Sequence, residues 1–91
     1  MLEKERQPPK VKVIKDLEVQ ILKYPALVGE PTDFSLQPEE EAIFEEEVKV
    51  QSVVDEHIYV FSCFRLRDGR GWVHGLDKDD PSKPSLAVHF F

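Results

Sequence analysis

The sequence predicts an all-β protein, and three observations support that prediction. Residues rich in Val, Ile, Phe and Tyr fill segments 42–54 and 58–67, a composition typical of strands. An Asp68-Gly69 pair separates the second segment from another β-prone one, and Asp-Gly favours a two-residue type I′ hairpin turn. Segments with helical periodicity do not exceed one or two turns anywhere along the chain.

The N-terminal half divides at its prolines and at a change in alternation. Residues 1–10 are charged and end near two adjacent prolines, which predicts a flexible lead-in to a domain over 11–91. Apolar residues alternate loosely over 10–24, so extended structure is expected there, with a break near Lys15-Asp16. Residues 25–41 contain three prolines and are expected to form a long irregular first loop.

The C-terminal half is expected to add two strands. Residues 71–76 form the strand after the Asp68-Gly69 turn, and residues 85–91 alternate again after a polar turn over 77–84. The last strand either pairs inside the domain, or the sequence stops inside a longer protein, or it leaves an edge that pairs with another chain. The first two alternatives are favoured jointly.

A two-residue turn at Asp68-Gly69 fixes a register in which Cys63 faces His74 and Arg65 faces Trp72. One face of this hairpin is then expected to be the core, with Ile58, Val60, Phe64, Leu66 and Val73. The opposite face is expected to be exposed, and it comprises Tyr59, Phe61, Cys63, Arg65, Arg67, Arg70, Trp72 and His74.

The preceding turn accounts for the arginines of that exposed face. If residues 55–57 form a three-residue loop, Glu47 lies opposite Arg65 and Glu45 lies opposite Arg67. Cross-strand pairs of opposite charge then satisfy the arginines within the chain, which is the favoured interpretation. The alternative is a basic patch that binds an anionic partner.

Composition excludes several classes of function. The formal charge of −6 argues against binding of nucleic acid, which requires excess positive charge to neutralise phosphates. A single cysteine excludes an intrachain disulfide and a cysteine-rich zinc site, and indicates a reducing compartment. No apolar run approaches the roughly 18 residues of a membrane span.

A cluster of glutamates and a cysteine–histidine pair are candidate functional sites. Glu39–Glu41 and Glu45–Glu47 form a solvated acidic face or, alternatively, a site for a basic peptide. Cys63 opposite His74 resembles a nucleophile–base pair, but a flat strand face supplies neither oxyanion donors nor a third orienting group. The three histidines follow no metal-binding spacing, so neither a catalytic residue nor a metal site is predicted.

Residues 24 to about 77 resemble a Src-homology-3-like (SH3-like) barrel of the bacterial SH3 (SH3b) type. The resemblance rests on Phe64-Arg65-Leu66-Arg67-Asp68-Gly69-Arg70-Gly71-Trp72-Val73-His74, against a family pattern of roughly V-R-L-x-D-G-R-x-G-W-V. Tyr24-Pro25 before a long loop and the segment 39–50 also fit. The resemblance implies a small barrel of about five strands with a long first loop and a flexible N-terminus.

The resemblance also implies binding without catalysis or a cofactor. SH3-like barrels mostly recognise peptides, cell-wall glycans or a neighbouring domain. His74 and Asp77 stand where peptide-binding SH3 domains carry a proline and a tyrosine, so binding of proline-rich peptides is not expected.

The sequence therefore predicts a cytoplasmic, non-enzymatic interaction or scaffold module of a larger protein. Its partner is expected to be a protein or peptide, with a basic peptide as one candidate and a homo-oligomer as the less favoured arrangement. The alternatives are a structural spacer docked on neighbouring domains and an accessory targeting domain of an enzyme. The predicted contact residues are Tyr24, Phe34, Phe61, Trp72, Arg65, Arg67, Arg70, Glu39, Glu40 and Glu41.

Overall fold

The computed structural model describes residues 8–14, 16–77, 80 and 82–89, and over these residues all seven regular elements are β-strands. This confirms the all-β prediction. The strands are β1 (Lys10–Val13), β2 (Val19–Leu22), β3 (Pro31–Leu36), β4 (Glu41–Val54), β5 (His57–Leu66), β6 (Trp72–His74) and β7 (Leu86–His89). No helix in the described part of the chain has the length and hydropathy that a membrane crossing requires.

The strands form one curled antiparallel sheet, a half-barrel with the order β3-β2-β6-β5-β4-β1-β7. Seven strands replace the expected five or so, because the long first loop contains β3 and the chain turns between β1 and β2 at Asp16, whose φ is 69°. Pro31 begins β3 at the edge of the sheet, where a strand tolerates a missing N–H. β1 begins at Lys10, inside the expected lead-in, whose residues 1–7 lie outside the described residues.

The β5–β6 hairpin has the predicted register, with Cys63 opposite His74. The predicted turn type is wrong. Gly69 has a φ of 85°, but Asp68 does not have the positive φ that a type I′ turn needs at both central residues. Instead, the Gly69 N–H donates to the Leu66 carbonyl at 3.2 Å within a longer connection.

The β4–β5 hairpin has the type I′ geometry that was expected at the other turn. Asp55 and Glu56 have φ values of 49° and 66°, and Val54 pairs directly with His57. The expected three-residue loop is therefore one residue too long. Val48 consequently lies opposite Cys63 instead of Phe64. A shift of one residue places each side chain of β4 on the opposite face of the sheet from the one expected relative to β5.

A β-bulge between Phe44 and Glu46 divides β4 between the two sides of the sheet. Before the bulge, Phe44 belongs to the main core, and its ring centroid lies 4.7 Å from that of Phe64. The main core comprises Val11, Val13, Val19, Ile21, Leu36, Ala42, Phe44, Phe64, Leu66, Val73 and Leu86. The expected core positions Phe64, Leu66 and Val73 are therefore confirmed.

A second apolar cluster covers the opposite side of the β5–β6 hairpin, which was expected to be exposed. Leu27, from the segment after β2, packs there with the buried Phe61 and Cys63. Half-buried side chains surround these three residues, namely Val48, Val50, Val54, Tyr59, Trp72 and Leu76. The sheet is consequently apolar on both faces at the level of β6.

Candidate interaction surface

A surface cavity of about 540 Å³ opens between the segment before β2, the segment between β2 and β3, and the end of β6. Its apolar lining includes Leu17, Leu22, Leu27 and Leu76. Carboxyl side chains come from Asp16, Glu18 and Asp77. Other lining residues are Val19, Gln20, Val28, Gly29, Pro31, His74 and Ser85.

Local backbone geometry builds the two flanks of this cavity. On one flank, the Leu17 N–H donates to the Ile14 carbonyl at 3.1 Å, which closes a turn beside Asp16. On the other, the Glu30 N–H donates to the Tyr24 hydroxyl at 3.2 Å. A Cβ on Gly29 would lie 2.9 Å from the Tyr24 ring, so this glycine permits the chain to fold back over the tyrosine.

His74 lies in the lining with its ring held by backbone groups. The Leu76 N–H donates to His74 Nδ1 at 3.2 Å, and the Ser85 hydroxyl donates to the backbone carbonyl of His74 at 2.9 Å. Burial lowers the pKa of His74, and backbone hydrogen bonds with Leu27 and Leu76 act in the opposite direction. His74 therefore supplies a neutral, fixed group at the cavity.

Cys63 faces His74 as predicted but is 1% exposed. Burial raises the pKa of its thiol to about 11, against the opposing effect of a backbone hydrogen bond with Ala26. The thiol is consequently protonated at neutral pH and shielded from solvent. A nucleophilic thiolate would need the opposite environment.

The four aromatic residues of the predicted contact surface occupy different environments. Tyr24 and Phe34 are 48% and 51% exposed. Phe61 is 5% exposed and its ring lies edge-on to His74, with centroids 5.6 Å apart. Phe61 is therefore a core residue, which corrects its assignment to the contact surface, and Trp72 is half-buried against the same cluster.

Arg65 is neutralised within the chain, although by other glutamates than expected. Its Nε lies 3.1 Å from the Glu46 carboxylate, and its guanidinium also lies 3.6 Å from Glu45. The bulge in β4 places these two side chains beside Arg65, where the expected register had placed Glu47. This geometry favours internal ion pairing over a basic patch for an anionic partner.

Arg70 and the first glutamates of the acidic run also have partners within the chain. Arg70 lies 2.7 Å from Asp68 and 3.8 Å from Glu40. Lys10 lies 3.1 Å from Glu41. Of the remaining predicted contact residues, Arg67 is exposed in the β5–β6 connection, and Glu39, with a φ of 63°, lies in the turn before β4.

The outer half of the β4–β5 hairpin presents an apolar surface that was expected to be core. Val53, Ile58 and Val60 are 65%, 64% and 66% exposed. Ile58 and Val60 lie on the same face of β5 as Phe64, as predicted. They are exposed because β6 pairs with β5 only over residues 63–65. The hairpin thus extends past the end of the core, and its core-facing side chains are exposed.

Groups of three or more His, Cys, Asp or Glu side chains that could hold a metal ion do not occur among the described residues. Comparison of the chain with family models, with curated proteins and with solved structures gave no match. The leucine-lined cavity and the exposed β4–β5 hairpin are two candidate interaction surfaces among the described residues. Neither surface was visible in the sequence, although Leu17, an apolar residue between Asp16 and Glu18, is a weak signal for the cavity.

Proposed function

We propose that the chain is a non-catalytic interaction module of a larger cytoplasmic protein, and that it binds an extended, basic segment of a partner protein. The observation that supports this proposal is the cavity, which combines leucine walls with the carboxyl side chains of Asp16, Glu18 and Asp77. The SH3-like resemblance stays part of the proposal, and the curled half-barrel is compatible with it.

The lining chemistry matches lysine and arginine side chains. Both have an aliphatic stem that packs on apolar surface and a cationic head that stays near water. The half-buried Leu17 and Leu76 offer contact to such a stem, and the carboxylates of Asp16 and Glu18 offer charge to the head. The net charge of −6 also attracts a cationic partner before contact.

A titration followed by ¹H–¹⁵N chemical shifts tests this proposal. The probe is a short peptide of alternating lysine and alanine, and the control is its glutamate counterpart. We expect the amides of residues 16–20, 27–30 and 74–77 to shift with the basic peptide alone. Shifts of equal size with the acidic peptide, or shifts confined to other residues, would contradict the proposal.

Matched variants assign the charge effect to the cavity. Glu18→Gln removes a carboxylate from the cavity, and Glu56→Gln removes one from the remote β4–β5 turn. We expect Glu18→Gln to weaken peptide binding about three- to tenfold, and Glu56→Gln to weaken it by less than about twofold, because exposed charges beyond a Debye length are screened. Equal weakening by both variants would indicate attraction by net charge alone.

A further inference from the structure

Among the residues that the structure describes, the outer half of β5 has no strand beside it on the side that faces away from β4. β6 pairs with β5 over 63–65, and the Gly75 N–H donates to the Ser62 carbonyl at 3.3 Å. Among the described residues, no strand continues this pairing along 57–61, although β5 extends to His57. Within the described part of the chain, segment 57–61 of β5 is therefore a free sheet edge.

Ile58 and Val60 present both their backbone and their side chains at this edge. The Ser62 carbonyl points away from β4, because it accepts a hydrogen bond from Gly75 on the other side of β5. In a β-strand, the N–H and C=O groups of every second residue point to the same side. The N–H and C=O groups of Val60 and Ile58 therefore also point away from β4. Their side chains are also about two-thirds exposed. The segment 58–64 has neither charge nor proline, the features that usually prevent an edge from pairing with another chain.

We propose that this edge pairs with the same edge of a second copy of the chain, antiparallel and about a two-fold axis at Tyr59. The free segment 57–61 has Tyr59 at its centre, and pairing about that residue places Ile58 opposite Val60 of the second copy. Both residues have outward N–H and C=O groups, so the two equivalent pairs form four hydrogen bonds. The edge is thus complementary to itself, as a two-fold interface requires.

The exposed apolar side chains also favour a second copy at this edge. Val53 on β4 pairs with Ile58 on β5. The dimer therefore joins the exposed apolar side chains of Val53, Ile58 and Val60 from both copies into one continuous face. Glu47 pairs with Phe64, five residues from Tyr59. At roughly 3.3 Å per residue, Glu47 lies about 17 Å from the axis, or about two Debye lengths at physiological salt, and Asp55 and Glu56 of the β4–β5 turn lie about 10–13 Å from it.

Sedimentation equilibrium of the full chain tests the proposal over concentrations from about 10 μM to 1 mM, a range suited to a small interface. Val60→Lys places a charge at the edge, and Gln51→Lys places the same charge on the same face of the hairpin but on β4, opposite Val60. We expect Val60→Lys to raise the dimer dissociation constant about tenfold or more and Gln51→Lys to change it by less than about threefold.

Equal effects of the two lysine variants, or a wild-type chain that stays monomeric over the whole range, would overturn the proposal. Far-ultraviolet circular dichroism of each variant separates lost association from lost folding. A monomeric chain that still shows the peptide-induced shifts would leave the proposed function standing, because the cavity lining does not include Ile58, Tyr59 or Val60. The two proposals therefore fail separately.

Cross-linking tests the register directly. In a Cys63→Ala background, Tyr59→Cys brings two thiols together across the axis, where opposed Cα atoms of a pair without hydrogen bonds lie about 4.5 Å apart, within the range of a disulfide. We expect a covalent dimer after mild oxidation. Ile58→Cys is the control. Ile58 faces Val60 of the second copy, so the two introduced thiols do not lie opposite each other and should not form a disulfide. Equal cross-linking of both variants, or of neither, would overturn the Tyr59-centred pairing.

Discussion

Gly71 lies against the backbone of Leu22, so closely that a Cβ on the glycine would be 2.4 Å from the Leu22 carbonyl oxygen. Leu22 pairs with Trp72 at this point, which joins β2 to β6. Gly71 also has a φ of 140°, a conformation that L side chains rarely adopt. Two independent constraints, one steric and one conformational, therefore require glycine here.

Replacing Gly71 by alanine is expected to destabilise the fold by roughly 2–4 kcal/mol, because the new methyl group forces the β2–β6 contact apart and strains the backbone. Gly75→Ala is the matched control, since a Cβ at Gly75 has nothing within 4 Å. Urea unfolding measures both free energies. A cost at Gly71 no larger than that at Gly75 would show that β2 and β6 do not meet as described.

The β4–β5 turn offers a stabilising substitution. Glu56 has a φ of 66°, which costs less for glycine than for glutamate, so Glu56→Gly is expected to add about 0.5–1 kcal/mol of stability. Asp68→Gly is expected to destabilise instead, because the Asp68 carboxylate accepts a hydrogen bond from the Arg70 N–H at 3.0 Å. Thermal unfolding of both variants checks this. Stabilisation by Asp68→Gly alone would reverse the assignment of the type I′ turn.

The two hairpin turns show how far the sequence determines local register. The register of β5 and β6 was predictable because apolar residues alternate on both sides of Asp68-Gly69, and it holds although the turn type differs. The register of β4 and β5 could not be predicted, because Asp55-Glu56 lacks the glycine or asparagine that marks a two-residue turn. Long strands with many pairs can impose positive φ on such residues.

Burial was less predictable than alternation. The alternation of β5 correctly placed Ile58 and Phe64 on one face, but only the ends of neighbouring strands decide that Phe64 is buried and Ile58 exposed. Similarly, Phe61 is buried because Leu27, distant in sequence, folds over it. The cavity has the same origin, since it is formed by segments that meet only in the folded chain.

Stability is expected to fall at alkaline pH through Cys63. Burial raises the pKa of its thiol from 9.0 to about 11, so the unfolded chain loses this proton first as the pH rises. The contribution of the protonated Cys63 thiol to the free energy of unfolding is complete below about pH 9 and is lost as the pH rises to about 11. Each unit of difference between the folded and unfolded pKa corresponds to about 1.4 kcal/mol. Urea unfolding of the wild type and of Cys63→Ala at pH values from about 8 to 11 isolates it. A stability difference between the two proteins that does not change with pH would contradict a buried thiol.

Acid sensitivity is expected to arise from His74. Burial lowers the pKa of this ring below 6.5, so the unfolded chain takes up a proton more readily than the folded chain. The contribution is therefore present above pH 6.5 and is lost as the pH falls through the lower pKa of the folded state. His74→Gln keeps hydrogen-bonding groups at this position but does not titrate, so its free energy of unfolding should decline less than that of the wild type between about pH 7 and 5. Carboxylates titrate alike in both proteins, and their effect cancels in the difference. Parallel declines in the two proteins would show that the His74 ring takes up a proton in the folded chain as easily as in the unfolded one, contrary to its burial.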